Sequence, residues 1–172
     1  MAILVRDVTI ADVNDICAIH VAAWHNAYVD IISKSYLDEH VTVENKRFQW
    51  SGFLKRRDPE KSLFLIITDN ENPIGFAQGW VDHNHSKNYR LNALYLNPQK
   101  TRQGYGRVLV HTFKETVQKQ GYENMLISVL KENHAARKFY EKIGGVHQPH
   151  LADVWNCPDG KKYAEETYVF KL

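Results

Sequence analysis

Apolar and polar positions change period several times along the chain. Residues 3–9, "ILVRDVT", read as a short strand. Thr9 with Asp12 three positions on has the spacing of a capping box, Asp replacing the usual Glu. Val13, Ile16 and Ile19 then make a helical stripe leading to Trp24, and a second helix spans Val43 to Lys55, where Trp50, Phe53 and Leu54 fall at i, i+3 and i+4. "KRRDPEK" is a solvated break. "SLFLIITD", the turn "NENP" and "IGFAQGWV" form an antiparallel hairpin, and "YRLNALYL" is the next strand after the polar loop "DHNHSKN". Leu109, Phe113 and Val117 recur every four residues, so a helix runs from about Gly104 to the C-terminal glycine at Gly121. "NMLISVL" reads as a buried strand and "NHAARKFYEKIG" as a helix. "GVHQPHLADVW" and "EETYVFKL" are the last strands, parted by a turn at "CPDG".

This order describes a mixed α/β fold in one domain, residues 1–172, with no repeat or linker. Composition narrows the function classes only a little. A net charge of +2 is too small for a nucleic-acid binder held by bulk electrostatics. No apolar run approaches the roughly 20 residues of a membrane span, and "MAILVRDVTI" has no signal-peptide pattern, so a cytoplasmic protein is expected. Cys17 and Cys157 make no CxxC pair and read as reduced thiols, with a single disulfide as the alternative. "HNH" is too short and isolated to hold a metal.

The chemistry concentrates in "TRQGYGRVLV", where Gly104 and Gly106 stand beside Arg102 and Arg107 at a helix start. A dinucleotide fingerprint would need a glycine where Leu109 stands, and a P-loop GxxxxGK[ST] is absent. The third reading is a loop whose bare amides and helix dipole bind phosphates. A glycine turn without ligand fits the spacing equally well. In "NHAARKFYEKIG", Asn133 and Tyr140 are separated by two helical turns and share a face, while Ala136, Phe139 and Ile143 fit a core stripe. Taken singly, Asn133 fits an N-cap and Tyr140 a core edge.

Together these segments resemble the GCN5-related N-acetyltransferase (GNAT) family. Its motif Q/R-x-x-G-x-G/A corresponds to "TRQGYG", with Thr101 at the Gln/Arg position and Lys100 and Arg102 alongside. Its later motif N-x-x-A-x-x-[FL]-Y-x-x-x-G is complete in "NHAARKFYEKIG", and the opening residues resemble its first strand and helix. The resemblance implies a mixed, mostly antiparallel sheet of six or seven strands flanked by about four helices, splayed near Leu94, Tyr95 and Leu96. Acetyl-CoA would be the co-substrate, without a metal. Its pantetheine arm would lie on Leu94–Leu96, with Asn133 and Ala136 nearby, and its pyrophosphate on Arg102, Gln103, Gly104, Tyr105, Gly106 and Arg107. Tyr140 would be the general acid. The acceptor, a primary amine on a small molecule or peptide, would meet Trp24, Tyr28, Gln78, Trp80 and Asn92. Family habit adds a homodimer. No Glu lies on "RLNALYLN" to act as base; Asp82, His83 and His85 are nearby in sequence, although a plain hairpin loop accounts for them too. The alternative is a non-catalytic acyl-CoA-binding regulator of the same fold.

Overall fold

The computed structural model describes residues 2–172. Strand β1 (Ile3–Asp7) leads through a 3₁₀ turn (Ile10–Asp12) into helix α1 (Val13–Ala27). The capping box at this junction is formed: the Asp12 carboxylate accepts from Thr9 N at 2.8 Å and Thr9 Oγ1 at 2.9 Å. It also takes both arms of the Arg6 guanidinium, at 2.9 and 2.7 Å, and so fastens β1 to α1. Arg6 and, behind it, the Thr9 donors outweigh burial and hold the Asp12 carboxyl at about 2, below its usual 3.8. A carboxylate with a lowered folded pKa contributes stability that is complete above about 3.8 and lost as pH falls towards 2. Asp12→Ala is therefore expected to lower the unfolding free energy at neutral pH by about 2 kcal/mol. Urea titrations of the two proteins should converge near pH 2; equal midpoints at pH 7 would show that the junction carries no load.

Helices α2 (Lys34–His40) and α3 (Val43–Arg56) follow, the latter capped by Thr42, whose hydroxyl accepts from Asn45 N at 3.2 Å. The sheet is then built from β2 (Ser62–Asp69), β3 (Asn72–Val81), β4 (Asn88–Leu96), β5 (Asn124–Leu130), β6 (Val146–His147), β7 (Asp153–Asn156) and β8 (Lys162–Lys171). Helix α4 (Tyr105–Lys119) joins β4 to β5, and α5 (His134–Lys142) follows β5. The strand order is β1-β2-β3-β4-β5-β8-β6, with β7 on β8, and every pairing is antiparallel except β4 with β5. A parallel pair needs a crossover, and α4 supplies it. The expected mostly antiparallel sheet is present, with eight strands because "GVHQPHLADVW" divides into β6, a 3₁₀ turn at Pro149–Leu151, and β7. Pro149 has no N–H to give to a ladder, and the chain leaves the strand there for the 3₁₀ turn.

The sheet is covered on both faces. Leu63, Leu65 and Ile67 of β2 pack with Leu109, Phe113 and Val117 of α4, while Phe64 and Ile66 pack with Ile16 of α1 and Trp50 of α3. Two-sided burial explains why β2 reads as an unbroken apolar run. Cys17 and Cys157 are both free and buried. Among the described residues no helix is long and apolar enough to cross a membrane.

The sheet opens between its two parallel strands. β4 pairs with β5 only from Asn88 to Arg90, against Asn124 to Leu126, so the divergence starts ahead of Leu94–Leu96. A bulge on β4 accompanies it: Leu91 pairs with Gly79 and Ala93 with Gln78, which leaves Asn92 as the extra residue. Gly79 permits this close approach, since a Cβ there would lie 2.1 Å from the Arg90 carbonyl oxygen. One extra residue inverts the alternation of side chains. Leu91 therefore faces α4, whereas Ala93 and Tyr95 join the core under α1 and α3.

Candidate active site

The loop before α4 is held in an uncommon backbone shape. Arg102 has φ 61° and Gly104 φ 90°, both left-handed. For a residue with a side chain this conformation costs roughly 1–2 kcal/mol, so Arg102 is held there by its surroundings. Among the described residues, the N–H groups of Arg102, Gln103, Gly104, Tyr105 and Gly106 find no backbone acceptor, and Gly104 offers no side-chain cap. They form a nest of donors at the positive end of a 15-residue helix. The two glycines serve different ends. Nothing lies within 4 Å of a Cβ on Gly104, whereas a Cβ on Gly106 would meet Phe139 at 3.2 Å and Leu96 at 3.3 Å. Gly104 keeps the nest open, and Gly106 lets α4 pack against α5 and β4. Tyr105 turns inward, its hydroxyl donating to Asp69 Oδ2 at 3.2 Å, and anchors the loop.

A cleft of about 1400 Å³ runs from this nest through the gap between β4 and β5. Arg102, Arg107, Lys138 and Lys142 line it near the nest, and the facing edges of β4 and β5 beyond Arg90 and Leu126 have no strand partner. Bare amides, a cationic rim and an open strand edge match the pyrophosphate and amide-bearing arm of coenzyme A. Tyr140, 6% exposed, lines the same cleft. Burial, then the neighbouring phenols of Tyr28 and Tyr95, push its pKa above the ordinary tyrosine value. Tyr95 is shifted upward by burial and Tyr28 as well. Tyr28 also rises by burial, opposed by Asn133 and reinforced by the Glu165 charge. All three phenols stay protonated at neutral pH.

Of the residues expected from sequence, Leu94, Tyr95, Leu96, Arg102, Gly104, Gly106, Arg107, Asn133, Ala136, Tyr140, Trp24, Tyr28 and Asn92 line this one cleft. Asn133 also caps α5, accepting from Ala136 N at 3.2 Å. Gln103, Tyr105, Gln78 and Trp80 do not line it. Gln78 is fully buried and accepts from Asn92 Nδ2 at 3.1 Å, so it supports the bulge from beneath. Trp80 pairs with Arg90, where the sheet is still closed. Thr101 lines the cleft, but its hydroxyl donates to the Pro98 carbonyl at 3.0 Å, and Lys100 is drawn off to Asp69 at 3.9 Å. Asp82 lies outside, paired with Arg90 Nε at 3.4 Å and accepting from Asn84 N; His83 and His85 are exposed in the same loop.

At the other end the cleft gains residues that the sequence did not single out: His20, Lys46, Trp155 and Glu165. His20 stacks on Tyr95, ring centroids 4.6 Å apart, and its Nδ1 accepts from Trp50 Nε1 at 3.0 Å. Burial, then the Lys46 charge, lowers its pKa to about 3, so the ring is neutral and its proton sits on Nε2. Trp155 meets Trp24 edge-on, with centroids 6.0 Å apart. The signal for β7 and β8 was only a strand alternation, and nothing local reports that they fold back over α1.

A sheet split along a parallel pair, with an amide nest at its mouth and a buried phenol beside the split, defines an acyltransferase of the N-acetyltransferase class. Residues 21–145 match the acetyltransferase (GNAT) family, and the chain belongs to that family; it is an acetyl-CoA-dependent acetyltransferase. It is similar to YuaI, an uncharacterized N-acetyltransferase of Bacillus subtilis, with 29% identity over 76% of this chain and 73% of that protein. It is also similar to a spermidine N(1)-acetyltransferase of Thermoplasma acidophilum, at 23% identity over 84% and 88% of the two chains. In fold it matches the PaiA N-acetyltransferase of Thermoplasma acidophilum, solved with coenzyme A, at TM-score 0.80 and 21% identity over the whole of both chains.

Proposed function

We propose that this acetyltransferase delivers the acetyl group to a primary amine by direct attack, with Tyr140 as the general acid. The observation that carries the reading is that Tyr140 and the amide nest line one continuous cleft. Bound acetyl-CoA supplies the thioester carbonyl and, once the amine has attacked, a thiolate that needs a proton. The amides of Arg102 to Gly106 bind the pyrophosphate, with Arg102, Arg107, Lys138 and Lys142 as its counter-charges. Leu94, Tyr95 and Leu96 offer their backbone edge to the arm, and Asn133 and Ala136 flank it. The Tyr140 phenol gives up the proton, and the same burial that keeps it protonated makes a thiolate beside it a stronger base. Trp24, Tyr28 and Asn92 border the acceptor.

Direct attack is favoured because neither cysteine lines the cleft, and burial pushes both thiols up, away from the nucleophilic thiolate form. An alkyl amine, pKa about 10.4, reaches the cleft mostly charged and loses one proton to bulk water before it attacks. The nitrogen releases a second as the C–N bond forms, which balances the proton that Tyr140 passes to the thiolate. The spermidine enzyme of Thermoplasma acidophilum supports an amine as acceptor. Incubation with acetyl-CoA and a panel of amines, read by mass spectrometry, tests the assignment: acetylated amine is the expected product. Tight acetyl-CoA binding with no acetylated amine from any member would favour a non-catalytic regulator instead.

A further inference from the structure

Glu165 is the only carboxylate among the residues that line the cleft, where Lys46, Arg102, Arg107, Lys138 and Lys142 supply the opposite charge. It sits on β8 opposite Asp153 of β7, on the same side of the strand as Tyr163, whose ring stacks on Trp155 at 5.5 Å between centroids. Trp155 meets Trp24, and Trp24 meets Tyr28 edge-on at 4.8 Å, so aromatic rings wall the space that this carboxylate borders. Arg102, Arg107, Lys138 and Lys142 are assigned above to the pyrophosphate, and Lys46 is otherwise engaged. Its Nζ lies 5.3 Å over the Trp24 ring and reaches Gln49 Oε1 at 3.3 Å. Glu165 has no such occupation. It is half-buried, and burial, then the nearby Asp153, raises its pKa against the opposing pull of Arg90. A partly desolvated carboxylate beside indole and phenol rings is the chemistry that receives an ammonium group.

Its position also separates it from the reacting centre. Glu165 lies opposite Leu130 at the end of β5, whereas Tyr140 packs on Tyr168, three residues further along β8, with ring centroids 6.0 Å apart. We infer that Glu165 anchors a second ammonium group of the acceptor, and that the acceptor class is a diamine or polyamine. This rests on the amine-acetyltransferase reading above. The reacting amine lies at Tyr140, the methylene chain runs past Tyr28, and the distal ammonium pairs with Glu165 between Trp155 and Trp24. Glu165 positions substrate and takes no part in bond making.

The test compares 1,4-diaminobutane with n-butylamine, which differ by one ammonium group. Wild type is expected to prefer the diamine in kcat/KM, through a lower KM. Glu165→Gln, nearly isosteric and uncharged, is expected to reduce that preference about 10- to 100-fold, the range of a lost charge-assisted hydrogen bond, mainly in the diamine's KM. Glu165→Asp should restore part of it. Calorimetric titration of 1,4-diaminobutane into the coenzyme A-loaded protein should show the same weakening without turnover, while affinity for acetyl-CoA holds. An unchanged diamine preference in Glu165→Gln, or equal losses for both amines, would overturn the inference while leaving the amine-acetyltransferase reading intact. Wild type that acetylates neither these amines nor any other would overturn both.

Discussion

Gly104→Val is expected to weaken acetyl-CoA binding by about 100-fold or more in a protein that still folds. At φ 90° a β-branched residue is strained, and the cost is of order 1–3 kcal/mol. A domain of this size commonly has 5–15 kcal/mol of stability, enough to carry that loss. The side chain meets no protein atom within 4 Å, so nothing inside the fold is displaced. It projects instead into the space over the donor nest, where the pyrophosphate must come within hydrogen-bond distance of the amides. Losing two or three charge-assisted hydrogen bonds, each worth roughly 1.5–3 kcal/mol, accounts for the predicted loss. Gly104→Ala should weaken binding less, in proportion to its smaller side chain. Gly106→Ala is a different perturbation: its Cβ presses on Phe139 and Leu96, so it should show chiefly as lowered stability. Calorimetry alongside thermal unfolding separates these outcomes. Unchanged affinity in folded Gly104→Val would remove the loop from the coenzyme site.

Tyr140→Phe is expected to slow acetyl transfer by about 100-fold or more, with little change in stability or acetyl-CoA affinity. General acid–base groups typically contribute 10²–10⁴-fold, and the lower end corresponds to roughly 3 kcal/mol of barrier. The ring keeps its packing against Phe139 and Tyr168, at 5.5 and 6.0 Å between centroids, so the hydroxyl alone is lost. Steady-state turnover can hide the effect where product release limits the wild type. Single-turnover transfer at saturating amine avoids that masking. Equal single-turnover rates would leave Tyr140 a packing residue.

Much of this architecture was legible because its determinants are local. The Thr9–Asp12 capping box, the unbroken apolar run of β2 and the four-residue stripe of α4 each report on their own segment. The glycine loop was legible too, although only the packing of α4 on α5 and β4 separates Gly104, open to the cleft, from Gly106, pressed on by Phe139. What stayed hidden depends on partners far along the chain. Helix α2 buries only Leu37, against Trp155 and Leu130, so its seven residues carry no stripe strong enough to announce it. The bulge at Asn92 exists only in register with Gln78 and Gly79, and without it a simple alternation would have put Leu91 and Tyr95 on one face. Trp80 was expected at the acceptor because the family resemblance implies a pocket built from the first helices and the hairpin strands, yet its register with Arg90 puts it where the sheet is closed. Trp155 and Glu165 are the converse case. Their strand pattern was readable, but their approach to Trp24 and Tyr28 is a product of the β7–β8 hairpin crossing beside β5.

The central claim is that acetyl passes directly from coenzyme A to an amine in the cleft that Tyr140 lines. Its most direct test is a rapid-quench experiment in which protein loaded with one equivalent of acetyl-labelled acetyl-CoA is mixed with 1,4-diaminobutane or another amine accepted in the panel. The prediction is that the label moves to the amine nitrogen within a single turnover, in step with thiol release, and is never found on the protein. Label on a protein side chain, or released as acetate while the amine stays unmodified, would contradict it.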